Sequence, residues 1–191
     1  MDIRNFFFKY RSYTPIPLAL MIIYFSMPML PYLWYGLACL AIGESIRFWA
    51  VSYAGGITRT TNVGAPALCS SGPFAFVRNP LYIGNLFIFS GIVLVASAPN
   101  IWAMLVFTWI FFIVQYAMII DLEEKTLTGL FGDDYKIYKQ NIPRLFPRLF
   151  SWKNNDERRP MDLLKTLKTE KCTLQNIVLI IVFIVIRRQF I

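Results

Sequence analysis

The sequence predicts an all-α integral membrane protein: a bundle of four transmembrane helices, a short fifth apolar helix, and a small cytoplasmic segment that caps one end. Three observations carry this. The 191 residues are 57% hydrophobic with a mean hydropathy of +0.51, above what a soluble domain shows. Charge is absent from Ser12 to Gly43 and again from Asn79 to Ile120. Each gap exceeds the ~20 residues of one crossing, so each reads as a helical hairpin. The basic residues then alternate with the gaps: Arg4, Lys9 and Arg11 precede the first, Arg59 and Arg78 lie between them, and a dense Lys/Arg set follows the second. Excess Lys/Arg marks the cytoplasmic side, which puts the N-terminus, the middle loop and the region after 120 inside.

The elements follow in order. Residues 1–14 form a cytoplasmic N-terminus with no small-residue cleavage site, so no removable signal peptide is expected. Residues 15–53 form the first hairpin. Its first span runs from Pro15 to Pro28, and Pro31 suits the first turn of the second, which Gly55-Gly56 ends. Residues 54–79 are a cytoplasmic loop. The second hairpin, 80–120, starts on Pro80, turns at Pro99-Asn100 and emerges as DLEEK. In the segment 121–172, Gly132-Asp133 reads as a turn and Tyr135 and Tyr138 share a helix face. That segment is too small to bury a core alone and should pack on the membrane helices. The last element, 173–191, holds a short apolar run bracketed by Lys168, Lys171, Arg187 and Arg188, which fits either a fifth span or a helix lying in the interface.

Composition excludes much chemistry. There is no histidine, so imidazole catalysis is out, and Cys39, Cys69 and Cys172 have no metal-ligand spacing. No metal is expected. The net charge of +8 follows membrane topology, so no nucleic-acid partner is expected either.

Two polar groupings interrupt the apolar pattern. Glu44 and Arg47 lie three residues apart on the second helix, close enough to pair, and either brace that helix or line a site. Arg78-Asn79 opens the third helix and Glu123-Glu124 closes the fourth, and a tight turn joins those two helices. A guanidinium and two carboxylates therefore meet at one boundary, beside Tyr82 and later tyrosines. Such a set can hold a zwitterion, or can simply anchor helix ends at the interface.

The residues that follow resemble a known family. GPFAFVRNPLYIG, EEKTLTGLFGDDYKIY with IPRLFP behind it, and GESIRFWA upstream are similar, in order, to signatures of the isoprenylcysteine carboxyl methyltransferase and phospholipid methyltransferase superfamily. The likeness covers residues 43–148. It implies a membrane methyltransferase using S-adenosylmethionine (SAM), with the cofactor at the cytoplasmic face and a lipophilic acceptor entering from the bilayer; in a prokaryote the expected location is the inner or plasma membrane. Carried over by position, Arg78, Asn79, Pro80, Tyr82 and Gly84 form one half of the cofactor pocket, and Glu123, Glu124, Tyr135, Arg144 and Pro147 the other. Arg78 and Glu124 are the catalytic candidates, and Glu44 and Arg47 the acceptor-binding ones. Asn79 stands where many relatives carry histidine, so it offers hydrogen bonds but no titrating base. A carboxylate acceptor of the isoprenylcysteine type needs no base, which tilts the expectation toward an oxygen nucleophile. A phospholipid amine N-methyltransferase, a membrane reductase and a non-enzymatic membrane protein are the alternatives.

Overall fold

The computed structural model describes residues 2–55, 63–154 and 156–189. Gly56 and Arg59, used above as helix stop and topology marker, lie outside the described residues. Among the described residues the helices are α1 Ile3–Lys9, α2 Ile16–Tyr24, α3 Leu30–Ala54, α4 Pro80–Ala96, α5 Ile101–Asn141 and α6 Leu163–Arg188, with a 3-10 turn at Gly72–Ala75.

Local chemistry sets most of the ends. Asp2 caps α1 by accepting the Arg4 amide. Pro31 and Pro80 occupy first-turn positions, where the amide they lack would have no helical partner. The α3 helix stops at Gly55, whose φ of 72° suits a residue without a Cβ. Asn100 caps α5 through its side-chain oxygen. Within α5, Gly132 (φ 54°) breaks the helix, so the expected Gly132-Asp133 turn is a kink inside one long element.

Among the described residues, two helices, α5 and α6, are long and apolar enough to cross a membrane; α4 is apolar but has 17 residues. The first span is not the expected Pro15–Pro28 helix. Only nine residues of it are helical, about 14 Å at ~1.5 Å per residue. The N-terminal segment nevertheless runs the height of the bundle: Arg4 is ion-paired with Asp121 at one end, and the Met27 amide donates to the Ala96 carbonyl at the other (2.7 Å). The last helix also differs from the expected boundaries. It begins at Leu163, ten residues before position 173, and reaches the far end, where Arg187 sits over the Tyr24 ring.

The α3–α4 seam is the tightest helix pair. Gly36 and Gly43 are seven residues apart, as are Gly84 and Gly91, and they meet in reverse order. A Cβ on Gly36 would lie 2.7 Å from the Gly91 oxygen, and one on Gly43 2.7 Å from the Gly84 oxygen. Two turns separate residues seven apart, so both glycines of a helix face the same neighbour. Small residues at such positions let two backbones approach closely where lipid offers no hydrophobic drive for association.

A second, smaller core lies beyond Ile120. Tyr135, Tyr138 and Ile142 are buried against Leu68, Leu127, Phe131 and Trp152, which bears out the shared face of the two tyrosines. Backbone bonds stitch this segment to the loop before α4: Arg78 N–H to Pro143 O, Arg148 N–H to Phe76 O, and Trp152 N–H to Ala75 O.

Candidate active site

A cavity of about 990 Å³, lined in part by polar groups, lies where α4, α5 and α6 meet the N-terminal segment. It has three levels. Arg78, Glu123, Glu124, Tyr135 and Tyr138 line its mouth. Arg47, Asn85, Tyr116, Thr173 and Asn176 line a polar belt one or two helical turns further in. Ile88, Ile92, Phe112, Ile180 and Phe183 line an apolar floor. A second cavity, of about 780 Å³, is walled by Tyr32, Tyr35, Ser90, Trp102, Trp109 and aliphatic residues, with no charged side chain among the described residues that line it.

At the mouth, two adjacent glutamates are treated oppositely. Successive helical residues point about 100° apart, so Glu123 and Glu124 face different neighbours. Glu124 is enclosed by three cations: Arg78 at 2.9 Å, Arg144 at 2.7 Å and Lys139 at 3.2 Å. Arg78 also donates to the carbonyls of Lys139 (2.8 Å) and Ile142 (2.5 Å), which ties the start of α4 to the end of α5. The hydrogen-bonded Glu124 carboxylate raises the Arg144 guanidinium above its ordinary pKa. Glu123, by contrast, accepts one hydrogen bond among the described residues, from the Tyr82 hydroxyl (2.9 Å). The Tyr82 ring in turn packs on Tyr116, with centroids 4.4 Å apart.

The sequence-predicted site residues divide accordingly. Arg78, Asn79, Pro80, Tyr82, Glu123, Glu124 and Tyr135 come together on the cavity. Gly84 does not line it. It lies in the α3–α4 seam, where a Cβ would sit 2.5 Å from Arg47 Cγ. Pro147 is exposed, and Arg144 acts from outside the cavity through Glu124. The Asn79 side chain donates to the Arg144 carbonyl (3.0 Å), so it locks the same loop.

The expected Glu44–Arg47 pair does not form. Arg47 reaches across the bundle to Glu170 of α6 at 2.9 Å, and also donates to Asn85 (2.6 Å) and Thr173 (3.2 Å). Spacing along one helix could not reveal this, because an arginine's long side chain can choose a partner on a neighbouring helix. Glu170 was missed. It is the one acidic residue between Leu163 and Arg188, set in a run of lysines that reads as a solvated face. No group of His, Cys, Asp and Glu suited to a metal occurs among the described residues.

Comparison with known proteins places the sequence in a family. The profile of the phospholipid methyltransferase family matches residues 31–134. Methanethiol S-methyltransferase 1 of Bradyrhizobium diazoefficiens is 34% identical over 74 residues, 39% of this chain and 24% of that protein. Methanethiol S-methyltransferase 2 of the same organism is 29% identical over 86 residues, 45% of this chain and 31% of its own length. The cobalt-zinc-cadmium resistance protein CzcN of Cupriavidus metallidurans is 29% identical over 103 residues, 54% of this chain and 43% of that protein. The chain thus spans between about a quarter and somewhat under half of the curated relatives it matches. No solved structure matches it. The family match takes in α3, α4 and most of α5, including Arg78, Tyr82, Glu123 and Glu124 of the cavity mouth, and covers more than half of the sequence. The chain belongs to the phospholipid methyltransferase family.

Proposed function

We propose that the protein is a SAM-dependent methyltransferase of the membrane, with its cofactor at the cytoplasmic mouth of the cavity and a lipophilic acceptor on the apolar floor. One observation carries this reading: a single cavity runs from charged groups through a polar belt to aliphatic walls. At about 990 Å³ it stands at the upper end of ordinary ligand sites, roughly 300–1,000 Å³, and has room for two molecules.

The residues present fit the cofactor. Arg78 lines the mouth, and its buried Nε has no hydrogen-bond acceptor among the described residues, which leaves a donor for a carboxylate. Glu123 keeps acceptor capacity for an ammonium, whereas Glu124 is spent on three cations. This reassigns the roles within the pair: Glu123 binds, and Glu124 holds the mouth together. The stacked Tyr82 and Tyr116 rings offer faces that favour a cation. When bound, SAM supplies an electrophilic methyl group on a sulfonium. The protein's own part is to orient, to exclude water with the apolar walls, and to fix the acceptor in line.

In the membrane, five traverses fit this reading: the charge-free residues 12–27, then α3, α4, α5 and α6, with the N-terminus and residues 121–162 cytoplasmic. The Lys/Arg distribution supports that orientation through its first four traverses. Transfer of a tritiated methyl group from SAM into the lipid extract of membranes carrying the protein, absent from control membranes, tests the function. No transfer into any lipid, together with no SAM binding, would reject it.

A further inference from the structure

The belt between mouth and floor holds a charge that is already matched. Glu170 is fully buried, with 0% of its side chain exposed, and both of its oxygens lie 2.9 Å from Arg47 Nη2. Arg47 Nη1 donates to Asn85 Oδ1, and Nη2 also reaches Thr173 Oγ1. Three helices, α3, α4 and α6, are therefore joined at one level, and Arg47, Asn85 and Thr173 all face the cavity there. Glu170 lies beyond the residues the family profile matches.

An arginine beside a lipophilic site invites the reading that it receives a carboxylate or phosphate. That reading needs a guanidinium with its charge to spare. Here a buried carboxylate holds Nη2, and although the buried Nε has no acceptor among the described residues, removing a second anion from water to reach a cation that is already paired costs more than the contact returns. The belt otherwise presents Asn85, Thr173, Tyr116 and Asn176, which are neutral groups that both donate and accept. Such a collar suits a head group that is uncharged and forms hydrogen bonds.

We propose that Glu170 is a specificity-determining positioning residue: by neutralising Arg47 it makes the belt select acceptors with a neutral polar head, such as a thiol or hydroxyl, over those with an anionic head. This rests on the acceptor lying on the apolar floor, as proposed above. It departs from the isoprenylcysteine-type carboxylate that the sequence resemblance suggests.

Binding tests it without turnover. Dodecanol and dodecanoate share a chain and differ in the charge of the head. Their affinities are measured by calorimetry at pH 8 on the full chain in dodecylmaltoside, with and without S-adenosylhomocysteine. Wild type should prefer dodecanol by at least about tenfold. Glu170→Gln frees the Arg47 charge and should shift the preference toward dodecanoate by a similar factor. The double change Arg47→Gln with Glu170→Gln removes both charges and should keep the wild-type preference, a pattern that a merely structural role would not produce. If Glu170→Gln does not fold, the wild-type and double-variant preferences still decide. Wild type preferring dodecanoate, binding the two equally, or binding neither overturns the proposal. So does a double variant that turns to dodecanoate. Failure of S-adenosylhomocysteine to bind would count against the methyltransferase reading alone, because the head-group preference is read separately on the cofactor-free protein.

Discussion

Arg78 and Glu124 stand 46 residues apart in sequence, yet Arg78 Nη2 lies 2.9 Å from Glu124 Oε1, with both side chains nearly buried. The bond fixes the entrance of α4 against the end of the apolar part of α5. Arg144 and Lys139 complete the ring around the same carboxylate.

Arg78→Ala should therefore act on stability before it acts on binding. Breaking a buried pair costs roughly 3–5 kcal/mol, and because Glu124 keeps two other cations we expect about 2–3 kcal/mol. Glu124→Gln strands three cations and should cost at least as much. Thermal unfolding in detergent reads both. Midpoints within a degree of wild type would show that the ring is not structural.

The α3–α4 seam makes a separate demand. Gly84→Val places side-chain atoms against the Gly43 carbonyl and Arg47, and overpacking of this kind costs about 1–3 kcal/mol. Gly129→Val is the control, because a Cβ there meets nothing within 4 Å. A Gly84→Val protein as stable as the control would show that the helices do not pack this closely.

Much of this architecture was legible in the sequence, and the reasons are local. Pro31, Pro80, Gly55 and Asn100 set helix ends through their own backbone or side-chain chemistry, so the pattern alone located them. The convergence of Arg78 with Glu123 and Glu124 followed from a short turn between two long helices. Contacts between helices distant in sequence were not legible. Arg47 could have paired with Glu44 one turn away, and only the docking of α6 presents Glu170 instead. Gly84 carries a family signature, but nothing in one sequence distinguishes a glycine that admits a ligand from one that admits a helix.

Topology can be read by labelling. In a background with Cys39, Cys69 and Cys172 replaced by serine, Asn100→Cys and Gln189→Cys should react with an impermeant maleimide in intact cells, and Asn154→Cys should not. Labelling at Asn154 would invert the orientation. Protection at Gln189 with labelling at Asn100 would return α6 to the interface.

Asp156 gives a pH signature where Leu68 and Ser70 meet Asn154, Asp156 and Arg158. Burial works to raise its carboxyl, but the Ser70 and Arg158 amides and the Arg158 guanidinium outweigh it and hold the pKa below the usual value of 3.8. A depressed folded pKa contributes stability that is full above the unfolded value, about 3.9, and is lost as pH falls through the folded one. The gap in unfolding midpoint between wild type and Asp156→Asn should stay constant from about pH 7 to 5 and close below about pH 4. A gap that widens on acidification would contradict the sign.

The most direct test of the central claim is equilibrium dialysis of labelled SAM against the purified protein, Glu123→Gln and Trp109→Phe. Trp109 lies in the uncharged second cavity, so its variant reports on non-specific loss. The proposed site predicts saturable binding to wild type at one SAM per chain, unchanged in Trp109→Phe and weakened about tenfold or more in Glu123→Gln, the ~1.5–3 kcal/mol of a charged hydrogen bond. No saturable binding to wild type, or equal affinity in Glu123→Gln, would contradict a cofactor site at this mouth.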